Sequence, residues 1–76
     1  MTLDQLKKGQ SAEIIAIETA SNSVQRLMLM GLVEGAKLNF IGASIGGDPL
    51  EFQLYGSAVS LRRDDAEKFR VSLTDG

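Results

Sequence analysis

The densest chemistry in this sequence is a run of charges. Arg62 and Arg63 stand directly before Asp64, Asp65 and Glu67. Carboxylates this close together can hold a hard cation or divide the roles of acid and base. They are also what the first turn of a helix favours, because its dipole attracts negative charge there. Asp64, Asp65, Ala66 and Glu67 fit a capping box, with Asp64 at the N-cap and Glu67 three residues on. Capping explains the cluster without any ligand.

A second candidate is the loop Ala43, Ser44, Ile45, Gly46, Gly47, Asp48, Pro49. A glycine-rich turn can cradle phosphate, but that chemistry needs the GxxxxGK[ST] spacing and a helix after it. Here the lysine is missing and the residues after Pro49 read as a strand. The loop reads instead as a flexible hairpin connection, with Pro49 fixing the entry to that strand. The chain has no histidine and no cysteine, so a conventional zinc or copper site cannot be assembled. No GxSxG elbow is present for a serine nucleophile. The expectation is a protein that is not an enzyme and that needs no cofactor and no resident metal.

What remains is apolar surface. Across 24–30, Val24, Leu27 and Met28 fall at the i, i+3, i+4 spacing of a core-facing stripe. Leu29 and Met30 point elsewhere, so this helix keeps apolar surface after the core is satisfied. Methionine fills core gaps well and also recurs on adaptable binding surfaces.

The elements that position these residues are short. Three helix starts carry the capping-box pattern: Thr2 with Gln5, Asn22 with Gln25, and Asp64 with Glu67. The first is followed by Lys7, Lys8 and Gly9, a basic end and a glycine stop. Strands are predicted over 12–18, 37–41, 50–54, 57–61 and 70–73. The clearest is 50–54, where Leu50, Phe52 and Leu54 alternate with Glu51 and Gln53. Tyr55, Gly56 and Ser57 read as a tight hairpin turn into the next strand. Five short strands with hairpin links and two or three short helices make a mostly β fold, a small and strongly bent antiparallel barrel.

Size and composition bound the rest. Seventy-six residues make one domain over 1–76, which buries only about 60–65% of its unfolded surface. An enclosed active-site cavity would remove much of so small a core. No run approaches the roughly 20 apolar residues of a membrane span, and the N-terminus lacks the basic-then-apolar layout of a signal peptide. With no cysteine, the expected location is a reducing compartment, most simply the cytoplasm. Eight basic residues against ten acidic ones leave little with which to neutralise phosphates, so nucleic-acid binding is not expected. A short, partly open barrel leaves strand edges that can recruit a second copy, so weak self-association is.

The order of these features resembles the ferrous iron transport protein A family, the small accessory proteins of bacterial ferrous iron uptake. The residues that carry the resemblance are Leu3-x-x-Leu6-x-x-Gly9, the strand from Ile14 to Ile17, and Arg26-Leu27-x-x-x-Gly31-Leu32-x-x-Gly35. They continue with Gly47-Asp48-Pro49, Gly56-x-x-Val59-x-Leu61-Arg62, the helix start at Asp64, and Val71. Two departures stand out: Gln25 where a second arginine is common before Leu27, and Val33-Glu34-Gly35 where a proline often precedes the glycine. The resemblance implies an SH3-like barrel with helical decoration. It also implies a role beside a membrane ferrous iron permease bearing a cytosolic G-protein domain, to which the small protein would bind. A rival reading is a free-standing regulator, since the same barrel resembles the C-terminal domain of iron-dependent transcriptional repressors. Within the first reading, the expected contact surface comprises Arg26, Leu29, Met30 and Leu32, with Arg62 and Arg63 as its charged rim.

Overall fold

Alternation of apolar and polar residues sets each strand, and the computed structural model, which describes residues 1–74, contains five of them. They are β1 (Ser11–Ile17), β2 (Lys37–Ala43), β3 (Leu50–Leu54), β4 (Ser57–Leu61) and β5 (Phe69–Thr74). All pair antiparallel in one sheet of order β4-β3-β2-β1-β5. Two helices interrupt the strand order. Helix α1 (Asn22–Leu29) lies between β1 and β2, and α2 (Arg63–Ala66) lies between β4 and β5. A single 3-10 turn, Leu3–Gln5, precedes β1.

One face of every strand feeds the same core. Ala12 and Ile14 from β1, Leu38 from β2, Phe52 from β3, Val59 from β4 and Phe69 from β5 belong to one buried apolar cluster. A sheet whose strands all face a single core must curl around it, and two bulges supply the bend. Register shifts between Ile14 and Ala16 on β1, and between Phe40 and Gly42 on β2. An extra residue in one strand sharpens local twist. The displaced residues, Ile15 and Ile41, are left exposed. Phe40 and Phe52 pack across the bent ladder with ring centroids 5.3 Å apart.

The β3–β4 hairpin closes with two residues, because Leu54 pairs with Ser57. Tyr55 and Gly56 both adopt positive φ, 50° and 84°, which is the type I′ geometry that suits strand twist. At the far edge of the sheet, the Val71 amide donates to the Met1 carbonyl at 2.8 Å and Thr2 bridges to Arg70. The N-terminus therefore lies along part of the β5 edge.

Helix boundaries moved by a residue or two from expectation, for local reasons. The first helix is only a 3-10 turn, although the Gln5 side chain does accept from the Thr2 amide at 2.9 Å. Its continuation to Lys8 is cut short because Leu6 turns extended and buries itself. The α1 N-cap is Ser21, whose hydroxyl accepts from the Val24 amide, and not Asn22. The α2 N-cap is Arg62, so Asp64 and Asp65 sit inside the first turn, not ahead of it. Their fit to the helix dipole is unchanged.

Candidate functional site

The C-terminal end of α1 shows how the local sequence divides residues between core and surface. Gly31 adopts φ 109°, a left-handed geometry that glycine tolerates and that stops the helix. The Gly31 amide then donates to the Met28 carbonyl at 3.0 Å, and the Leu32 amide to the Leu27 carbonyl at 3.2 Å. This pair of bonds is a Schellman motif, which reverses the chain and brings the residue after the glycine back against the helix. Leu32 occupies that position and is fully buried. It therefore cannot belong to a contact surface. The expectation for Leu32 is corrected here: it is a core residue that holds the turn.

The same turn leaves Leu29 and Met30 outside. Leu29 is 89% exposed and Met30 61% exposed. Val24 is buried, while Leu27 and Met28 pack against the core at half exposure. Arg26 is exposed and stands three and four residues before Leu29 and Met30, so all three share one helix face. Two further exposed residues were not part of the expected contact surface. Val33 follows the turn at 42% exposure, and Tyr55 is 75% exposed at the hairpin tip. A side chain on Gly31 would meet Leu54 Cδ2 at 3.4 Å, which brings the hairpin close to the end of α1. A tyrosine at a positive-φ hairpin position was the available signal, since that position usually takes asparagine, aspartate or glycine.

Arg62 and Arg63 do not rim this face. The Ser23 hydroxyl in the first turn of α1 donates to Asp65 Oδ1 of α2 at 2.8 Å. The arginine pair thus adjoins the opposite end of α1, and Leu29 lies six residues further on, about 9 Å along the axis. Arg63 is also engaged internally. Its guanidinium donates to the Gly47 carbonyl at 3.0 Å and to the Asp4 carbonyl at 3.4 Å. Its backbone amide donates to Asp48 Oδ1 at 2.9 Å. The β2–β3 loop, α2 and the N-terminal turn are tied together through this one residue. The expectation of a charged rim is therefore corrected for Arg63, which is a structural tie. Arg62 remains exposed beside Asp48, Pro49 and Asp64.

Those ties also change the reading of the β2–β3 loop. The Gly47 amide donates to the Ser44 carbonyl at 2.8 Å, and the Ser44 amide to the Pro49 carbonyl at 3.0 Å. With Arg63 and Asp48 added, the loop is anchored at several points and not a free connection. Ile45 stands fully exposed at its tip. Among the described residues no histidine, cysteine or carboxylate group of three or more gathers as a metal site, and no polar side chain is buried.

Fold and surface together define a small five-stranded barrel with exposed apolar residues at the C-terminal end of α1. The chain belongs to the FeoA domain family, whose model matches residues 1–73. A putative Fe(2+) transport protein A from Campylobacter jejuni is 33% identical over 73 residues, covering 96% of this chain and 99% of that protein. An Fe(2+) transport protein A/Fe(2+) transporter FeoB fusion protein from Porphyromonas gingivalis is also 33% identical over 73 residues. That match covers 96% of this chain but only 9% of the fusion protein. Among solved structures, the FeoA protein of Chlorobium tepidum superposes with a TM-score of 0.90 at 37% identity, over 100% of this chain and 72% of that one. The FeoA of Stenotrophomonas maltophilia, described as a prokaryotic SH3 domain protein, gives 0.81 at 28% identity, over 95% of this chain and 89% of its own. The barrel is accordingly SH3-like. A manganese-dependent transcriptional repressor shares the fold alone, with a TM-score of 0.86 at 16% identity over 97% of this chain and 36% of the repressor.

Proposed function

We propose that this protein is a cytoplasmic, non-catalytic accessory of ferrous iron uptake that binds the cytosolic part of a ferrous iron permease with its G-protein domain. The observation that carries the reading is the Porphyromonas fusion, in which a stretch 33% identical to this chain belongs to the same polypeptide as an Fe(2+) transporter. Two partners joined in one chain in one organism are candidates for association as separate chains in another. No helix among the described residues is long and apolar enough to cross a membrane, so a role at the permease calls for docking on its exposed part.

The contact face is the C-terminal half of α1, with Arg26, Leu29 and Met30 at its centre and Val33 beside it. Apolar residues held this far into solvent gain from burial against a partner, about 25 cal/mol for each Å² covered. Arginine and methionine are both enriched at interface cores. Arg62 lies outside this face and contributes at most a second, peripheral contact. The regulator reading has only the shared fold behind it, since the repressor likeness falls at 16% identity.

The test is an NMR titration of labelled protein with the soluble G-protein domain of the cognate permease, with duplex DNA as the control. Shifts clustered over Arg26 to Val33 with the permease domain alone are the expected result. Shifts with DNA and none with the permease domain would overturn the reading in favour of a regulator.

A further inference from the structure

The three methionines of this chain differ in what oxidation would do to them. Met28 is half-buried and packs against the core. Met1 is 46% exposed but belongs to the N-terminal segment along β5, where its carbonyl accepts from the Val71 amide. Met30 is the most exposed at 61%, and it stands on the apolar face next to Leu29. Its structural duty is confined to the backbone, where its amide donates to the Leu27 carbonyl at 3.0 Å and closes the helix. Unlike Met28, Met30 is not among the apolar side chains packed against the core cluster.

We infer that Met30 is an oxidation site through which peroxide controls docking on the α1 face. This rests on the docking reading given above. In the step itself, the thioether sulfur takes one oxygen from hydrogen peroxide. The peroxide O–O bond breaks, an S–O bond forms, the sulfur gives up two electrons and water leaves. The product sulfoxide is polar and chiral where the thioether was apolar. A partner pocket that accepts an apolar side chain would have to desolvate that oxygen without a hydrogen bond, which is unfavourable. Because the side chain carries no packing role, the barrel tolerates the change. Loss of docking is thereby separated from loss of fold. Sulfoxide reduction by a methionine sulfoxide reductase restores the thioether, so the control is reversible.

The experiment exposes the intact protein to graded hydrogen peroxide and maps oxidation by peptide mass spectrometry. It then measures affinity for the detergent-solubilised cognate permease, with Met30→Leu treated in parallel. Met30 should oxidise well ahead of Met28, with an unchanged circular dichroism spectrum. Affinity should fall about tenfold, the scale of one disturbed interface anchor. Whatever affinity Met30→Leu has before treatment, it should keep after it, since leucine has no sulfur to oxidise. Unchanged affinity of the Met30 sulfoxide form would overturn the proposal while leaving the docking reading intact. So would an equal loss in Met30→Leu, which would place the sensitive group elsewhere. Oxidation of Met28 in step with Met30 would also overturn it, since the two sites would not then be separated by burial. Failure of the untreated protein to bind the permease would remove the docking reading and this inference together.

Discussion

The two ends of α1 carry the residues a contact surface was expected to use, and the fold treats them in opposite ways. At the N-terminal end, α2 is linked by the Ser23–Asp65 hydrogen bond, and Arg63 directs its guanidinium to the carbonyls of Asp4 and Gly47. At the C-terminal end, the chain reverses on Gly31, Leu32 turns inward, and Leu29 and Met30 are left with nothing to cover them. Charge next to an apolar run in sequence suggested one mixed patch. In space Arg63 is taken up by backbone carbonyls at one end, while the apolar surplus collects beside Arg26 at the other. Residue type alone does not mark a contact face; what matters is whether the fold has already engaged the side chain.

The sharpest way to break that contrast is to remove the buried member of the apolar end. Leu32→Ala should destabilise the protein by about 3 kcal/mol, the usual scale for a fully buried leucine, in chemical denaturation followed by circular dichroism. A loss below about 0.5 kcal/mol, the range of ordinary surface changes, would mean that Leu32 is not a core residue. At the other end, Arg63→Ala should cost about 1–2 kcal/mol, because two carbonyl partners lose a charge-assisted donor. Arg62→Ala should stay within about 0.5 kcal/mol, as an exposed residue with no structural role. Equal effects of the two arginine substitutions would sink the distinction drawn between a tie and a free side chain. Gly31→Ala tests the device that sorts Leu32 from Met30. It should cost about 1–2 kcal/mol from the left-handed φ alone, with the nearby Leu54 side chain adding to it.

Most of the architecture was legible in the sequence. The period-two runs at 50–54 and 57–61 became β3 and β4 with the same bounds, and the other three strands shifted only at their ends. Local periodicity and hairpin chemistry suffice where one face must be buried. What could not be read were the outcomes of long-range geometry. Asp48 takes the amide of Arg63 fifteen residues away, so α2 needs no capping side chain of its own, and the expected Asp64 cap gave way to Arg62. Capping patterns describe what a helix start can do alone and are silent about an acceptor arriving from another loop. Leu32 was misplaced for a related reason. It was grouped with the apolar residues before the glycine, whereas the Schellman turn resets which way the next side chain points. Surplus apolarity at Leu29 and Met30 was visible because it lies inside one regular helix, where spacing does fix direction.

The smallest expected effect on the fold carries the most information about the face. Leu29 is the last residue of α1, so a carboxylate there faces the negative end of the helix dipole, an unfavourable arrangement of about 0.3–1 kcal/mol. Leu29→Asp should therefore lower stability slightly even though the side chain packs against nothing. Leu29→Gln carries no charge and should leave stability unchanged within about 0.5 kcal/mol. Both variants should weaken permease binding, by tenfold or more if Leu29 is an anchor, since an anchor contributes about 1.4 kcal/mol or above. Comparing the two separates the dipole from the docking face. If only the aspartate variant loses binding, the effect is electrostatic and the apolar face is not the contact. If the glutamine variant unfolds the domain, Leu29 belongs with Leu32 in the core and the contrast between the two ends of α1 collapses.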